Sequence, residues 1–149
     1  MRLTVLGGSA AGPNTGQGCA GFLVQGNGAS IVLDLGPGTL PELRRHADFR
    51  TLDAIVISHL HLDHILDLFA LRFALAYNPV PPRRKTRLVL PPGGRGWFDR
   101  AAELFGGEDA SAYFDNVFAI EEFDPGLPLT IGPATLTFAP TVHYVPCWA

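Results

Sequence analysis

Short apolar runs separated by glycine- and proline-rich breaks make up most of the chain, and the period of each run assigns its element. Arg2–Gly7 (RLTVLG) alternates polar and apolar positions at the two-residue period of a half-buried strand. Cys19–Gly26 and Ser30–Asp34 are β-rich runs joined through Asn27-Gly28, a dipeptide suited to a two-residue hairpin turn because both positions accept positive φ. Thr39, with Pro41 close behind it, suits the cap of a short helix running to about His46. Asp53–Ser58 (DAIVIS) reads as a buried strand and His64–Tyr77 as the helix after it. Asn78–Thr86 (NPVPPRRKT) holds too many prolines for a regular element. Beyond it, Arg87–Leu90 reads as a strand, Trp97–Phe105 as a helix, and Val117–Phe123, Leu129–Ile131 and Ala134–Ala139 as strands. A strand meander, then strands alternating with helices, then strands again, predicts an α/β sheet covered by helices. The helical run Ile65–Ala76 is apolar nearly all round, interrupted only by Asp67 and Arg72, which predicts burial on both sides or a place in an interface.

Composition sets limits on this picture. With 149 residues, 47% hydrophobic and 17% charged, the chain has the size of one domain and enough apolar material for a core. A net charge of −3 gives no global attraction to polyanions, so contact with nucleic acid would rest on a local basic patch. Arg83, Arg84, Lys85 and Arg87 form such a patch, read first as a solvated loop face and second as a phosphate contact at the rim of a site. The N-terminal segment has no long apolar stretch behind a basic start, and no window approaches the roughly 18 apolar residues that span a bilayer. The expectation is a cytoplasmic protein with no membrane partner. Cys19 and Cys147 fit no metal or redox spacing, and Cys147 reads as core. The loop Gly7–Gly18 lacks both the GxGxxG spacing and a P-loop lysine, which leaves it as a flexible rim near an active site.

Residues 58–64 read SHLHLDH, placing three histidines and an aspartate directly behind an apolar strand. Such groups cost free energy when buried without partners, so packing does not explain them. Open α/β sheets bind ligands at the carboxyl ends of their strands, where this loop falls. Residues two apart in an extended segment point the same way, so His59 and His61 can grip one ion together. Asp63 and His64 turn into the following helix and can address a second. Nitrogen and carboxylate ligands suit zinc, and also manganese or iron.

HLHLDH resembles, residue for residue, the HxHxDH signature of the metallo-β-lactamase superfamily. Val32–Thr39 (VLDLGPGT) resembles the Asp-x-Gly segment that precedes the metal loop in that family, and His143 falls after a strand, as does the family's third histidine for the first ion. The resemblance implies an αβ/βα sandwich in which His59, His61 and His143 hold one divalent ion, and Asp63 and His64 hold part of a second. Asp34 would orient the metal loop through hydrogen bonds. The glycine-rich first turn, DLGPGT and the apolar helix behind the metal loop are similar to the tRNA 3′-processing endonuclease and cyclic-nucleotide phosphodiesterase branch, although Leu62 stands where many members carry glycine.

Family domains of this kind have two similar halves, and the second supplies a bridging aspartate and a last histidine. No aspartate or histidine follows His143. We therefore expect residues 1–149 to be an incomplete domain, the N-terminal half to two-thirds, completed by a C-terminal segment or by a homo-oligomer. The expected chemistry is hydrolysis of a small-molecule or RNA phosphodiester at a dinuclear site, zinc by the type of its donors, with a hydroxide shared by the ions attacking phosphorus and Asp63 as the catalytic carboxylate. An acyl hydrolase (a lactonase or thioesterase) using the same ions, and a non-catalytic fragment, stand as the alternatives.

Overall fold

The computed structural model describes residues 1–149. The first strands are β1 (Arg2–Ser9), β2 (Gly18–Cys19), β3 (Gly21–Gly26) and β4 (Ala29–Leu35). Helix α1 (Thr39–His46) leads through a 3₁₀ turn to β5 (Ala54–Val56), which is followed by α2 (Leu62–Ile65) and α3 (Asp67–Ala76). Then come β6 (Thr86–Leu90), α4 (Gly94–Phe105), a second 3₁₀ segment and β7 (Phe118–Glu122), and lastly β8 (Leu129–Ile131) and β9 (Ala134–Leu136).

Seven strands form one sheet in the order β2-β1-β3-β4-β5-β6-β7, and β8-β9 form a separate hairpin. The Asn27-Gly28 turn closes β3 against β4 as expected, with both residues at positive φ (50° and 85°). From β4 to β7 the pairing is parallel, with helical crossovers between the strands. Those helices pack on one face. Leu23, Val32, Ile55 and Leu88 from the strands meet Leu43, Ile65, Leu68, Leu71 and Phe98 from the helices in the main core. Each such side chain contributes about 1.5–3 kcal/mol when fully buried.

The opposite face is only partly covered. Register places Val5, Phe22, Leu33 and Val56 side by side across four strands. The β8-β9 hairpin, Phe138 and Trp148 cover the central part of that face, around Ile31, Val56 and Val89. Toward β1 the cover ends, and Leu3 and Val5 are 60% and 59% exposed.

Four local expectations need correction, the last of them at the start of α1. The helix behind the metal loop begins at Leu62 rather than His64, and it tightens at Leu66, where an i,i+3 bond from Phe69 replaces the α ladder. Helix α3 is not buried on both sides: Leu68, Leu71 and Leu75 face the core, while Phe73 is 48% exposed and Tyr77, at its C-terminus, 72%. Helix α4 starts three residues before Trp97, because Gly93 adopts φ 83° and turns the chain directly from Pro91-Pro92 into the helix. Among the described residues no helix is long and apolar enough to cross a membrane.

Thr39 does not cap α1. It is the first helical residue, and its hydroxyl donates to the Gly36 carbonyl. A free N–H of α1 is met from another helix: Asp67 accepts from the Leu40 N–H at 2.7 Å, and the nearby N–H groups of Gly38 and Thr39 also favour its ionised form. Burial raises the Asp67 carboxyl above its ordinary value, against the pull of those donors. Asp67→Ala is therefore expected to cost about 1–2 kcal/mol, the usual loss of a helix cap. Asp67→Asn should retain most of the stability, because an amide still accepts and carries no charge to desolvate. Chemical denaturation of both variants checks this, and equal losses would contradict it.

Candidate metal centre

The site begins at Asp34, the last polar residue before the β4 strand ends. It is buried and sits in the left-handed region at φ 57°, a conformation aspartate tolerates better than most residues and one that carries strain. Both carboxylate oxygens are engaged. Oδ1 accepts from the Ser58 N–H at 2.7 Å, and Oδ2 accepts from the Ser58 hydroxyl and from His64 Nδ1, each at 2.7 Å.

These bonds fix the protons on two histidines. The Ser58 hydroxyl is spent on Asp34, so its oxygen accepts from His59 Nδ1 at 3.0 Å. His59 then presents a bare Nε2. His64 likewise gives its Nδ1 proton to Asp34, which leaves Nε2 for other use. One buried carboxylate thus contacts His64 directly and His59 through Ser58.

Backbone conformation does the rest. His61 is extended (φ −71°, ψ 146°) and the helix starts at the next residue. His59 and His61 consequently share one side, and Asp63 and His64 are swung to another. His59 Nε2 lies 3.1 Å from His61 Nδ1, and His143 Nε2 lies 3.0 Å from the same atom. The three rings meet at interplanar angles of 76–88°, edge against face, so they are not a stack. One nitrogen from each lies within 4.8 Å of the others. Tetrahedral zinc at about 2.0–2.1 Å from each nitrogen would hold its ligands about 3.3 Å apart, so the donor set fits such an ion. His59 is buried and His143 exposed, which sets the cluster at the surface with one closed side.

Beside this cluster His64 Nε2 lies 3.5 Å from Asp63 Oδ2. That oxygen also accepts from the Ala11 N–H at 3.0 Å, so the glycine-rich loop is tied to the metal loop rather than free at its rim. Burial and the surrounding histidines push His59 down to about 4, and it is neutral near pH 7. Burial also weighs on His64, but the Asp34 hydrogen bond and the charges of Asp34 and Asp63 outweigh it and raise the ring. Burial likewise opposes ionisation of Asp63, yet the Ala11 N–H and His64 hold it below its ordinary value.

Some contributors had little signal in the sequence. Gly36 packs so tightly that an added Cβ would stand 1.9 Å from the Asp63 carbonyl oxygen. Cys147, read as core, is half-buried with Sγ 3.5 Å from His59 Nδ1. Tyr144 lies against the His61 ring with centroids 4.8 Å apart. The basic cluster is not at this site. Arg83–Arg87 leads into β6, at the end of the sheet opposite the metal loop, and Arg84 and Arg87 are paired with Asp53 and Glu121.

Comparison with known proteins gives the family and the fold. Residues 14–146 match the Metallo-beta-lactamase superfamily. The probable metallo-hydrolase YhfI of Bacillus subtilis is 34% identical over 149 residues, all of this chain and 57% of that protein. Its crystal structure superposes with a TM-score of 0.81 and 27% identity, covering 98% of this chain and 55% of the other. A ribonuclease Z of Bradyrhizobium diazoefficiens is 34% identical over 106 residues, 70% of this chain and 34% of its own. A diphosphatase of the PhnP family shares the fold, with a TM-score of 0.74 at 19% identity over 98% of this chain and 59% of that one. The chain thus spans about half the length of the relatives it matches. With the family match running from the glycine-rich loop through His143, and the fold agreeing over nearly every residue, this chain belongs to the metallo-beta-lactamase superfamily.

Proposed function

We propose that the chain carries the principal metal-binding half of a dinuclear hydrolase that cleaves phosphodiesters. The observation that carries this reading is the meeting of three imidazole nitrogens from His59, His61 and His143 beside the Asp63–His64 pair. In it, His59, His61 and His143 are the ligands of one divalent ion, zinc by the fit of its donors, and Asp63 and His64 contribute to a second. When bound, such ions supply the positive charge that stabilises a developing oxyanion and make water a nucleophile near neutral pH. The protein's own part is positional. Asp34 fixes the protons on His59, through Ser58, and on His64. Asp63 stays ionised, with Oδ2 tied to Ala11, and its free oxygen can orient a water and accept its proton.

A phosphodiester is favoured over an ester because the matched relatives include a ribonuclease Z, with a diphosphatase among the structural neighbours. The partly covered sheet face, with Leu3 and Val5 in water, supports a second layer that completes the sandwich, and relatives of nearly twice this length have the residues to build one. We assign that layer the missing ligands of the second ion.

Two measurements test the reading. Titrated with zinc, the 149-residue chain should take up one ion tightly and a second at least about 100-fold more weakly, since two ligands fall short of the usual three or four. Two tightly held ions, or none, would contradict the assignment. Supplied with its second layer, the domain should hydrolyse bis-p-nitrophenyl phosphate and leave lactones and thioesters largely intact. The reverse selectivity would establish the acyl hydrolase instead.

A further inference from the structure

At the far end of the sheet from the metal loop lies a cleft of about 670 Å³. The metal loop follows the last residue of β5, whereas Lys85 precedes the first residue of β6, and these strands are parallel, so the two places sit at opposite sheet ends. Arg72 is at the back of this cleft. It is the one basic residue of α3, only 7% exposed, with Nε donating to the Tyr113 carbonyl at 2.8 Å. Its guanidinium lies 4.0 Å over the Tyr113 ring and 5.1 Å from that of Phe73. Among the described residues, the hydrogen bond of its side chain is that one from Nε, and its terminal nitrogens face the cleft.

A guanidinium held in place by its Nε bond and its aromatic neighbours, at the back of a cleft, is pre-organised to take an anion that enters. The cleft supplies the means. Lys85 stands at its mouth with Arg72 behind and Arg84, paired with Asp53, beside it, and among the described residues Asp109 is the carboxylate in the lining. Two parallel donors on a guanidinium match the oxygens of a phosphate, and further cations suit its double charge. Phe73 and Tyr77, stacked 5.8 Å apart and both open to solvent, offer a flat apolar wall for a ring attached to that phosphate.

We infer that this cleft is a second ligand site, separate from the metal centre, that binds a small phosphorylated aromatic molecule through Arg72 and Lys85. The phosphate sits on the Arg72 fork, Lys85 closes over it, and the ring lies on Phe73 and Tyr77. The inference does not depend on the hydrolase reading, because no residue of the metal centre lines the cleft.

The test is a calorimetric and NMR titration of the chain, kept in EDTA so that the histidine cluster binds nothing. The probes are inorganic phosphate and adenosine monophosphate. The nucleotide should bind saturably and about 10-fold or more tighter than phosphate, the difference a stacked ring makes. Arg72→Gln should weaken it at least about 10-fold, the loss of a bidentate charged contact. Lys85→Glu, on an exposed side chain whose substitution leaves the fold alone, should weaken it several-fold, whereas His61→Ala should change nothing. Binding unaffected by Lys85→Glu, or abolished by His61→Ala, would overturn the assignment. So would a cleft closed by a second copy of the chain, with a doubled mass on sedimentation and no nucleotide uptake.

Discussion

Gly36→Ala should unhinge the metal centre and lower the stability of the chain by at least about 3 kcal/mol, at the upper end of what overpacking costs. The reason is a contact between backbones. An added methyl at position 36 would meet the Asp63 carbonyl oxygen at 1.9 Å and the Cys19 Cβ at 2.8 Å. Neither neighbour can give way cheaply. Gly36 is itself held, its N–H donating to Ala20 and its carbonyl accepting from Thr39. Asp63 lies in the first turn of α2, so moving its carbonyl moves the ligands on both sides of it. A thermal melt should show the loss as roughly 2–4 °C per kcal/mol. Zinc uptake should fall with it, since the loop that aims His61 and His64 is displaced. A variant with an unchanged melting temperature and unchanged zinc affinity would show that the close approach is not rigid.

Asp63→Ala should remove most phosphodiester hydrolysis from the completed domain, by about 100-fold or more in kcat, the scale of a lost general base or charge stabiliser. Stability should change far less. Asp63 is only half-buried, and the one long-range hydrogen bond recorded for its side chain is from Ala11, so its removal costs about 1 kcal/mol. Asp63→Asn separates the two roles. The amide can still accept from Ala11 but carries no charge to hold an ion or take a proton, so activity should stay low while the loop remains in place. Full activity in Asp63→Asn would mean that the carboxylate only anchors the glycine-rich loop.

How much of this could be read in advance depends on distance along the chain. His59, His61, Asp63 and His64 lie within six positions, and local rules suffice: alternation in an extended stretch for the first pair, the onset of a helix for the second. The helix itself begins at Leu62, two residues before the apolar period suggests, because its first turn is built from the polar residues that face the site. Thr39 carries a capping residue type, yet the capping carboxylate comes from Asp67, 27 residues away from the Leu40 N–H it accepts. The chain's apolar period marks Asp67 only as an interruption. Arg72 was the other interruption in the same run, and the environment that gives it meaning, Tyr113 and Lys85, comes from two distant segments.

The sequence by itself determined the hairpin at Asn27-Gly28, the strand that leads into residues 58–64 and the grouping of His59, His61, Asp63 and His64 at its end, because each rests on contacts between near neighbours. It could also rank His143, through the family likeness. Only the tertiary structure decided that His143 Nε2 comes within 3.0 Å of His61 Nδ1, that Asp34 sets the protons of both flanking histidines, and that the basic cluster sits at the wrong end of the sheet to help. Those outcomes follow from strand order and register, which bring together segments as far apart as 82 residues. No local preference encodes them. They are fixed when the apolar faces of sheet and helices close on one another, and that packing is a property of the whole chain.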